Sequence, residues 1–209
     1  PAGVYDAEGA TGDDFRTVGG DYYKPTDADY EANCEEARAL LAEAGYENGE
    51  GFPVVEYLYN TSDAHKAVAE ALQYMWEEEL GVKVTLNNQE WAAFLQTRKD
   101  GDYSIARNGW IADYNDPISF LDMWMTGGGN NDAQYSNEEY DSLIKEAKTT
   151  TDVKERMELL HKAEDKIIGE DNALAPLYFY TQKYMLADGI EGMYYCPLGY
   201  FFFGYTHQA

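Results

Sequence analysis

The segment RNGWIADYNDP, residues 107–117, combines the end of a strand with a polar turn. The run from Tyr103 to Asn108 has the residues of a short strand, and Gly109-Trp110 follows it directly. Asp113 then places a carboxylate, and Tyr114 an aromatic ring, just beyond the end of that strand. Open α/β sheets bind ligands at the carboxyl ends of their strands. The segment therefore predicts an α/β fold with a ligand site near Asp113.

The charge of the chain restricts its partners. Its 209 residues contain 39 Asp and Glu against 15 Lys and Arg, which gives a formal net charge of −24. Such a charge argues against nucleic acid and against anionic membrane surfaces as partners. A solvated acidic surface accounts for it, and a field that favours cationic or amine-bearing ligands is the alternative. The length suits one domain, or one and a half.

Targeting segments and cysteines add little. No apolar run approaches the length of about 18 residues that a membrane span needs. Residues 1–14 have neither the basic nor the apolar region of a signal peptide, so we expect no signal sequence or lipid anchor in this chain. The two cysteines, Cys34 and Cys196, fit one disulfide bond or two free thiols equally well.

Hydrophobic periodicity and turn residues predict alternating helices and strands from Asn33 onward, after a surface loop or extended lead-in over residues 1–32. Strands are expected at residues 53–59, 82–86, 103–108 and 173–180. Helices are expected from Asn33 to Gly45, from Ser62 to Gly81, near 91–98, and after Asp116-Pro117, Ser136 and Asp152. Ser136 and Glu139 form a capping box, and Asp152 and Glu155 a looser version of it. The sum is an α/β fold with mixed connectivity.

Four separated segments, in this order, resemble one known family. They read EEARALLAEAGY (35–46), YNTSDAHK (59–66), NNQEWAAFLQTRKDGDYSIARNGWIADYNDP (87–117) and APLYFY (175–180). The family comprises the oligopeptide- and dipeptide-binding receptors of bacterial ABC importers. The resemblance implies one lobe of a type II periplasmic-binding-protein fold, with a mixed sheet flanked by helices. It assigns residues 33–182 to an α/β ligand-binding lobe, and residues 183–209 to a return segment that would pack on a second lobe.

The resemblance also implies a site that binds peptide. Asp113 corresponds to the acid that holds the peptide α-ammonium, although its setting in DYNDP also suits an ordinary turn residue. Gly109, Trp110 and Ile111 would pair with the peptide main chain, and Trp110 suits the protein core as well. Tyr180 matches a tyrosine that contacts the peptide main chain; an aromatic residue at the domain edge is the alternative.

Three cationic residues match positions that some relatives use to bind the peptide's C-terminal carboxylate: Arg98, Arg107 and His65. A carboxylate that leaves water needs paired donors, so cations there make physical sense. Each has a second interpretation. Arg98 can stabilise a helix C-terminus, Arg107 can pair with one of the many acids, and His65 can be an exposed residue in the first turn of a helix.

Other kinds of site find no support. The triple glycine at 127–129 lacks the Gly-Lys-Ser/Thr of a phosphate-binding loop. Three scattered histidines without a CxxC give no zinc site, and no run of acids matches an EF-hand loop. No Gly-x-Ser-x-Gly elbow is present. We therefore expect no metal and no cofactor.

The resemblance thus predicts a receptor component rather than an enzyme. It would bind oligopeptides between two lobes and deliver them to an ABC-importer permease as part of a whole receptor, without nucleic acid and without inserting into the membrane. The full-length protein would be extracellular or periplasmic and associated with the cell surface. The alternatives are an oligosaccharide receptor of the same fold, since 19 Tyr and 4 Trp could stack on sugars, and a glycoside hydrolase using two carboxylates.

Overall fold

The computed structural model describes residues 27–178, 180, 183–196 and 198–209, with side chains from Tyr30 onward in the first helix. The described chain divides into two compact units. We call residues 27–109 and 131–134 the N-terminal unit, and residues 110–130 and 135–209 the C-terminal unit. All three points at which the described chain passes from one unit to the other fall inside the segment 33–182 that was expected as one lobe, so the limits of that lobe stay a prediction.

The N-terminal unit alternates helices and strands. Its elements are α1 (Asp27–Glu43), a 3-10 turn (Glu47–Gly49), β1 (Val55–Asn60), α2 (Asp63–Leu80), β2 (Val84–Gln89), α3 (Trp91–Asp100) and β3 (Ile105–Ala106). The three strands form a parallel sheet in the order β2-β1-β3. Helix α1 begins inside the segment expected as a lead-in, and most of that segment, residues 1–26, lies outside the described residues.

The sequence of α2 shows why these elements form. Ser62 precedes the helix in an extended conformation, and Gly81 ends it with a left-handed φ of 67°. A Cβ at Gly81 would collide with the carbonyl oxygen of Asn48, so only glycine fits there. The buried face of α2 packs against β1 and β2 around Tyr57, Leu72 and Val84. The predicted helix, with its Gly81 end, is confirmed.

The C-terminal unit is mainly helical and ends in short strands. Its elements are α4 (Ile118–Leu121), a 3-10 turn (Asp122–Trp124), α5 (Glu138–Thr149), α6 (Val153–Glu164), a π-helical turn (Asp165–Glu170), β4 (Ile190–Glu191), β5 (Tyr194–Cys196), β6 (Tyr200–Phe202) and β7 (His207–Gln208). Strand β4 pairs with β7 and β5 with β6, both antiparallel. Tyr140, Ile144, Leu160 and Ile167 form the buried centre between the helices.

A π-helical turn extends α6. It spans Asp165–Glu170, and the backbone N–H of Asp171 donates to the carbonyl of Lys166 at 2.8 Å, five residues back. A π-helical turn contains one residue more per hydrogen-bonded ring than an α-helical turn. Ile167, which lies in this turn, is fully buried in the core of the unit.

Two expectations about local structure change, and one is confirmed. Asn137, rather than Ser136, caps α5, because its side chain accepts from the backbone N–H groups of Glu139 and Tyr140. Asp152 caps α6 as predicted, accepting from Glu155 N–H. The main sheet is wholly parallel, and antiparallel pairing occurs only in the separate short sheets of the described chain.

The strand predicted at residues 173–180 is wrong for the described residues 173–178 and 180, none of which lies in a strand. Its apolar, aromatic sequence favours a strand, but a strand also needs a neighbouring chain to receive its hydrogen bonds. Pro176 has no N–H to donate, and Leu177 and Tyr178 are half exposed. The local sequence does not show whether a neighbouring strand is placed to pair with these residues.

Every described helix is too short or too polar to cross a membrane. The two cysteines, Cys34 in α1 and Cys196 in β5, are free thiols.

Candidate functional site

The carboxyl edge of the parallel sheet in the N-terminal unit is polar. Because β1, β2 and β3 are parallel, their carboxyl ends meet at one edge of the sheet, where α/β folds bind ligands. Strand β1 ends at Asn60, a buried polar residue. The backbone N–H of Arg107 donates to the carbonyl of Leu58 at 2.8 Å and so continues the pairing of β3 with β1. Asn60 and Arg107 therefore lie together at this edge.

Two of the predicted cationic residues meet at Asn60. Arg107 Nη1 donates to Asn60 Oδ1 at 3.2 Å, and His65 Nδ1 lies 3.3 Å from the carbonyl oxygen of Asn60. Burial, and then the charge of Arg107, hold the pKa of His65 below its usual value of 6.5. His65 is therefore mainly neutral at pH 7, while Arg107 carries the positive charge. We call Asn60, His65 and Arg107 the cationic cluster; sequence reasoning missed Asn60, although a polar residue closing a buried strand is a usable signal.

Arg98, the third predicted cation, has an acidic partner. Its Nε lies 2.7 Å from Asp132 Oδ2, and the two side chains are 13% and 15% exposed. Its Nη1 donates to Asn108 Oδ1 at 3.0 Å, and Asn108 Oδ1 also accepts the N–H of Gly109 at 2.8 Å. The guanidinium thus links helix α3 to the segment before Trp110. No local sequence pattern predicts the pairing of Arg98 with Asp132, because the two residues lie 34 positions apart.

The C-terminal unit contains a cavity of about 270 Å³. It is lined by Trp110, Asp113, Tyr114, Ser119, Asp122, Met123, Gly128, Gly129 and Asn130. Two predicted site residues, Asp113 and Trp110, are thus brought to one cavity. Trp110 is partly buried and also packs against the core. Its surroundings therefore agree in part with a binding residue and in part with a core residue. We call this space the Asp113 cavity.

The electrostatics of the Asp113 cavity favour a cation. The side chain of Asp113 is exposed, while its backbone N–H donates to Ser119 Oγ at 3.0 Å. A second carboxylate, Asp122, lies 3.0 Å from Lys148 Nζ. Burial, and then the carboxylates of Asp122 and Asp116, raise the pKa of the Tyr114 hydroxyl. Because Asp122 is paired with Lys148, Asp113 is the carboxylate that the cavity offers to a cationic group such as an ammonium.

Ile111 and Tyr180 lie outside the residues that line the Asp113 cavity. Both side chains are exposed, and the Tyr180 ring contacts that of Tyr178 edge-on with centroids 5.2 Å apart. Among the residues that the structure describes, no group of three or more His, Cys, Asp or Glu side chains is placed to hold a metal ion.

The sequence matches one family profile, described as bacterial extracellular solute-binding proteins, family 5 (middle part), over residues 3–132. The chain is 38% identical over 205 residues to the dipeptide-binding protein DppE of Bacillus subtilis, covering 96% of this chain and 36% of DppE. It is 42% identical over 158 residues to the periplasmic oligopeptide-binding protein OppA of Salmonella typhimurium, covering 76% and 29%. The chain thus spans about a third of the length of these relatives.

A solved structure supports the same grouping. The crystal structure of Haemophilus influenzae OppA in complex with the peptide RPPGFSPFR matches with a TM-score of 0.74 and 34% identity. The match covers 86% of this chain and 34% of that protein. The fold is therefore that of the periplasmic peptide-binding proteins.

Proposed function

The chain belongs to the bacterial extracellular solute-binding proteins of family 5, and we propose from this that it is part of a receptor that captures oligopeptides for an ABC importer. The observation that supports this most is the Asp113 cavity, where a carboxylate and Trp110 line one space. A peptide carries an α-ammonium at one end, which is the group that such a carboxylate binds. Relatives of this chain are described as dipeptide- and oligopeptide-binding proteins.

The Asp113 cavity would bind the amino end of a peptide. Its carboxylate would accept charge-assisted hydrogen bonds from the α-ammonium, which are roughly twice as strong as neutral ones. Trp110 and Ile111 would offer main-chain groups to an extended peptide, a recognition that tolerates many side chains. Tyr180 would contact peptide main chain through its exposed ring and hydroxyl.

The cationic cluster of the N-terminal unit is proposed separately as a carboxylate site. Arg107 supplies the charge, His65 a ring nitrogen, and Asn60 holds both in place. Arg98 would add its remaining guanidinium N–H donors, since Asp132, Asn108 and Arg107 engage only Nε and Nη1. Gly109 would pair with the peptide main chain through its carbonyl, since its N–H donates to Asn108 Oδ1.

The whole receptor would act without catalysis. It would be extracellular or periplasmic, associated with the cell surface, and would pass its peptide to a permease. Residues 183–209 would pack on a second lobe of that receptor. Their exposed apolar side chains, such as Met185 at 96% and Tyr205 at 88% exposure, support this, because a partner surface normally covers such a patch.

The oligosaccharide alternative has less support. A neutral sugar offers no cation to the Asp113 carboxylate, and the relatives compared above are described by the peptides they bind. An enzyme has no support either, because the family consists of solute-binding proteins.

Asp113→Asn in the full-length receptor tests the proposal. We expect it to weaken the binding of trialanine by about 1.5–3 kcal/mol, roughly 10- to 150-fold, because the amide keeps an acceptor oxygen but loses the negative charge that strengthens the hydrogen bond to the ammonium. Isothermal titration calorimetry measures this, with N-acetyl-trialanine as the second ligand. The acetylated peptide lacks the ammonium, so its affinity should be the same for both proteins.

Asp102→Asn, an exposed acid in the N-terminal unit, is the matched control and should change neither affinity. Full affinity of Asp113→Asn for trialanine would reject Asp113 as the ammonium partner. Equal binding of the free and acetylated peptides by the unmodified receptor would reject the Asp113 cavity as an ammonium site, and binding of neither peptide would reject the proposed function.

A further inference from the structure

We propose that Arg156 is a positioning residue for the Asp113 cavity: it fixes the loop that carries Asp113 without lining the cavity itself. This inference rests on the proposed function. Arg156 lies 43 positions after Asp113, in the first turn of α6. Nothing in its neighbourhood along the chain marks Arg156 as a functional residue.

Arg156 uses its guanidinium in two directions. Nη2 lies 2.8 Å from Asp116 Oδ1, and Nε donates to the carbonyl of Ala147 at 3.1 Å, near the C-terminal end of α5. The side chains of Arg156 and Asp116 are mostly buried, so solvent screens this pair less than a surface pair. The Arg156 side chain thereby links the loop that contains Asp116 to helices α5 and α6.

Asp116 transmits this anchoring to the cavity wall. The Oδ1 atom that receives Arg156 also accepts the N–H of Ile118 at 2.9 Å, and the carbonyl of Asp116 accepts the N–H of Ser119 at 3.1 Å. Both interactions fix the start of α4. Asp116 is thus the point at which Arg156 can set the position of Ser119.

Ser119 completes the path. It is buried, it lines the Asp113 cavity, and its Oγ accepts the backbone N–H of Asp113 at 3.0 Å. The position of the Asp113 main chain therefore depends on Ser119, and through Asp116 on Arg156. Each link is one hydrogen bond or ion pair within the C-terminal unit.

Arginine suits this role better than lysine. A guanidinium is a planar fork whose donors keep fixed directions, so it can bind a carboxylate and a carbonyl at once. A lysine ammonium is a single point on a flexible stem and would reach one acceptor well. We therefore expect Arg156→Lys to keep part of the positioning of the Asp113 main chain, and Arg156→Met to lose it.

The test uses the full-length receptor with trialanine and N-acetyl-trialanine in calorimetric titrations. We expect Arg156→Met to weaken trialanine binding about 3- to 30-fold and Arg156→Lys to weaken it less, since couplings through intervening residues have about this size. Binding of the acetylated peptide should stay unchanged. Asp116→Asn keeps the size of its side chain and should repeat the effect, which covers the case in which Arg156→Met fails to fold.

Arg38→Met is the matched control. Arg38 forms an ion pair of the same length, 2.8 Å, with Glu79 in the N-terminal unit, so its loss removes a comparable bridge away from the cavity. It should leave the affinity for trialanine unchanged. In the double variant Arg156→Met/Asp113→Asn, the two losses should not add, because both act on one ammonium contact.

A loss of stability in Arg156→Met or Asp116→Asn with an unchanged affinity ratio of free to acetylated peptide would make Arg156 a purely structural residue and overturn the inference. In that case Asp113→Asn would still lose trialanine binding, and the proposed function would stand. If the unmodified receptor binds both peptides equally, the ammonium site and this inference fail while the proposed function stands; if it binds neither peptide, the proposed function fails as well.

Discussion

Tyr140→Ala is expected to lower the free energy of unfolding by about 3–5 kcal/mol, the range seen when large aromatic residues are removed from protein cores. Tyr140 is 0% exposed at the centre of the C-terminal unit. Its ring packs edge-on against Tyr135 at 5.3 Å, and its hydroxyl donates to the carbonyl of Leu121 at 2.7 Å. The substitution leaves a cavity and removes the donor of a buried carbonyl at the end of α4. Urea denaturation followed by circular dichroism measures the loss.

Two further variants separate the loss of the buried ring from the loss of its hydrogen bond, and compare both with the loss of an exposed tyrosine. Tyr140→Phe keeps the ring but leaves the Leu121 carbonyl without this donor, and should cost about 1–3 kcal/mol. Tyr74→Ala removes a tyrosine from α2 that is 66% exposed, and should stay within about 0.5 kcal/mol of the unmodified chain. A loss for Tyr140→Ala as small as that for Tyr74→Ala would contradict the packing described for this core.

The contribution of Glu164 to stability should fall as the pH rises from about 4.5 to above 7, because its carboxyl group ionises. Glu164 is 3% exposed, and burial raises its pKa from the ordinary value of 4.5 to about 7. A carboxyl whose pKa is higher in the folded than in the unfolded state binds its proton more tightly when folded, so its stabilisation is full below pH 4.5 and is lost above 7. With about 1.4 kcal/mol for each pKa unit, the loss reaches about 3 kcal/mol.

Glu164→Gln removes the titrating group and isolates this contribution. At pH 8 the variant should be more stable than the unmodified chain by up to about 3 kcal/mol, and at pH 4 the two should be nearly equal. Glu158→Gln changes an exposed acid on the same helix and should keep the original pH profile. Parallel pH profiles for Glu164→Gln and the unmodified chain would show that Glu164 titrates normally. Urea titrations at each pH supply the comparison.

The sequence predicts regular elements well where local chemistry determines them. Local residues mark both ends of helix α2, because Ser62 precedes its first residue and Gly81 ends it. The sequence predicts the cap of α5 one residue too early, at Ser136. Ser136 and Asn137 are both good capping residues, and only the conformation of the loop decides between them. The strand expected at 173–180 depended on a neighbour that local sequence cannot reveal.

The candidate site divides in the same way. Trp110 and Asp113 could be placed together because only two residues lie between them in one loop after β3. The position of Asn60 at the end of a buried strand marks it as a candidate, but the contacts of Asp132, Asn60 and Arg156 could not be predicted. Each contact joins a side chain to a partner more than 30 residues away. Such pairings follow from tertiary packing, which no local pattern records.

The π-helical turn at Asp165–Glu170 lets this region change its length by one residue. Deleting one residue there would restore an ordinary α-helical turn, and the following chain would keep nearly the same direction, because the π-helical turn holds one residue more per hydrogen-bonded ring. Residues 173–178 and Tyr180 would then still leave the helix on the same side. We therefore expect some homologous genes to lack one codon in this turn, and to have an uninterrupted α-helix there.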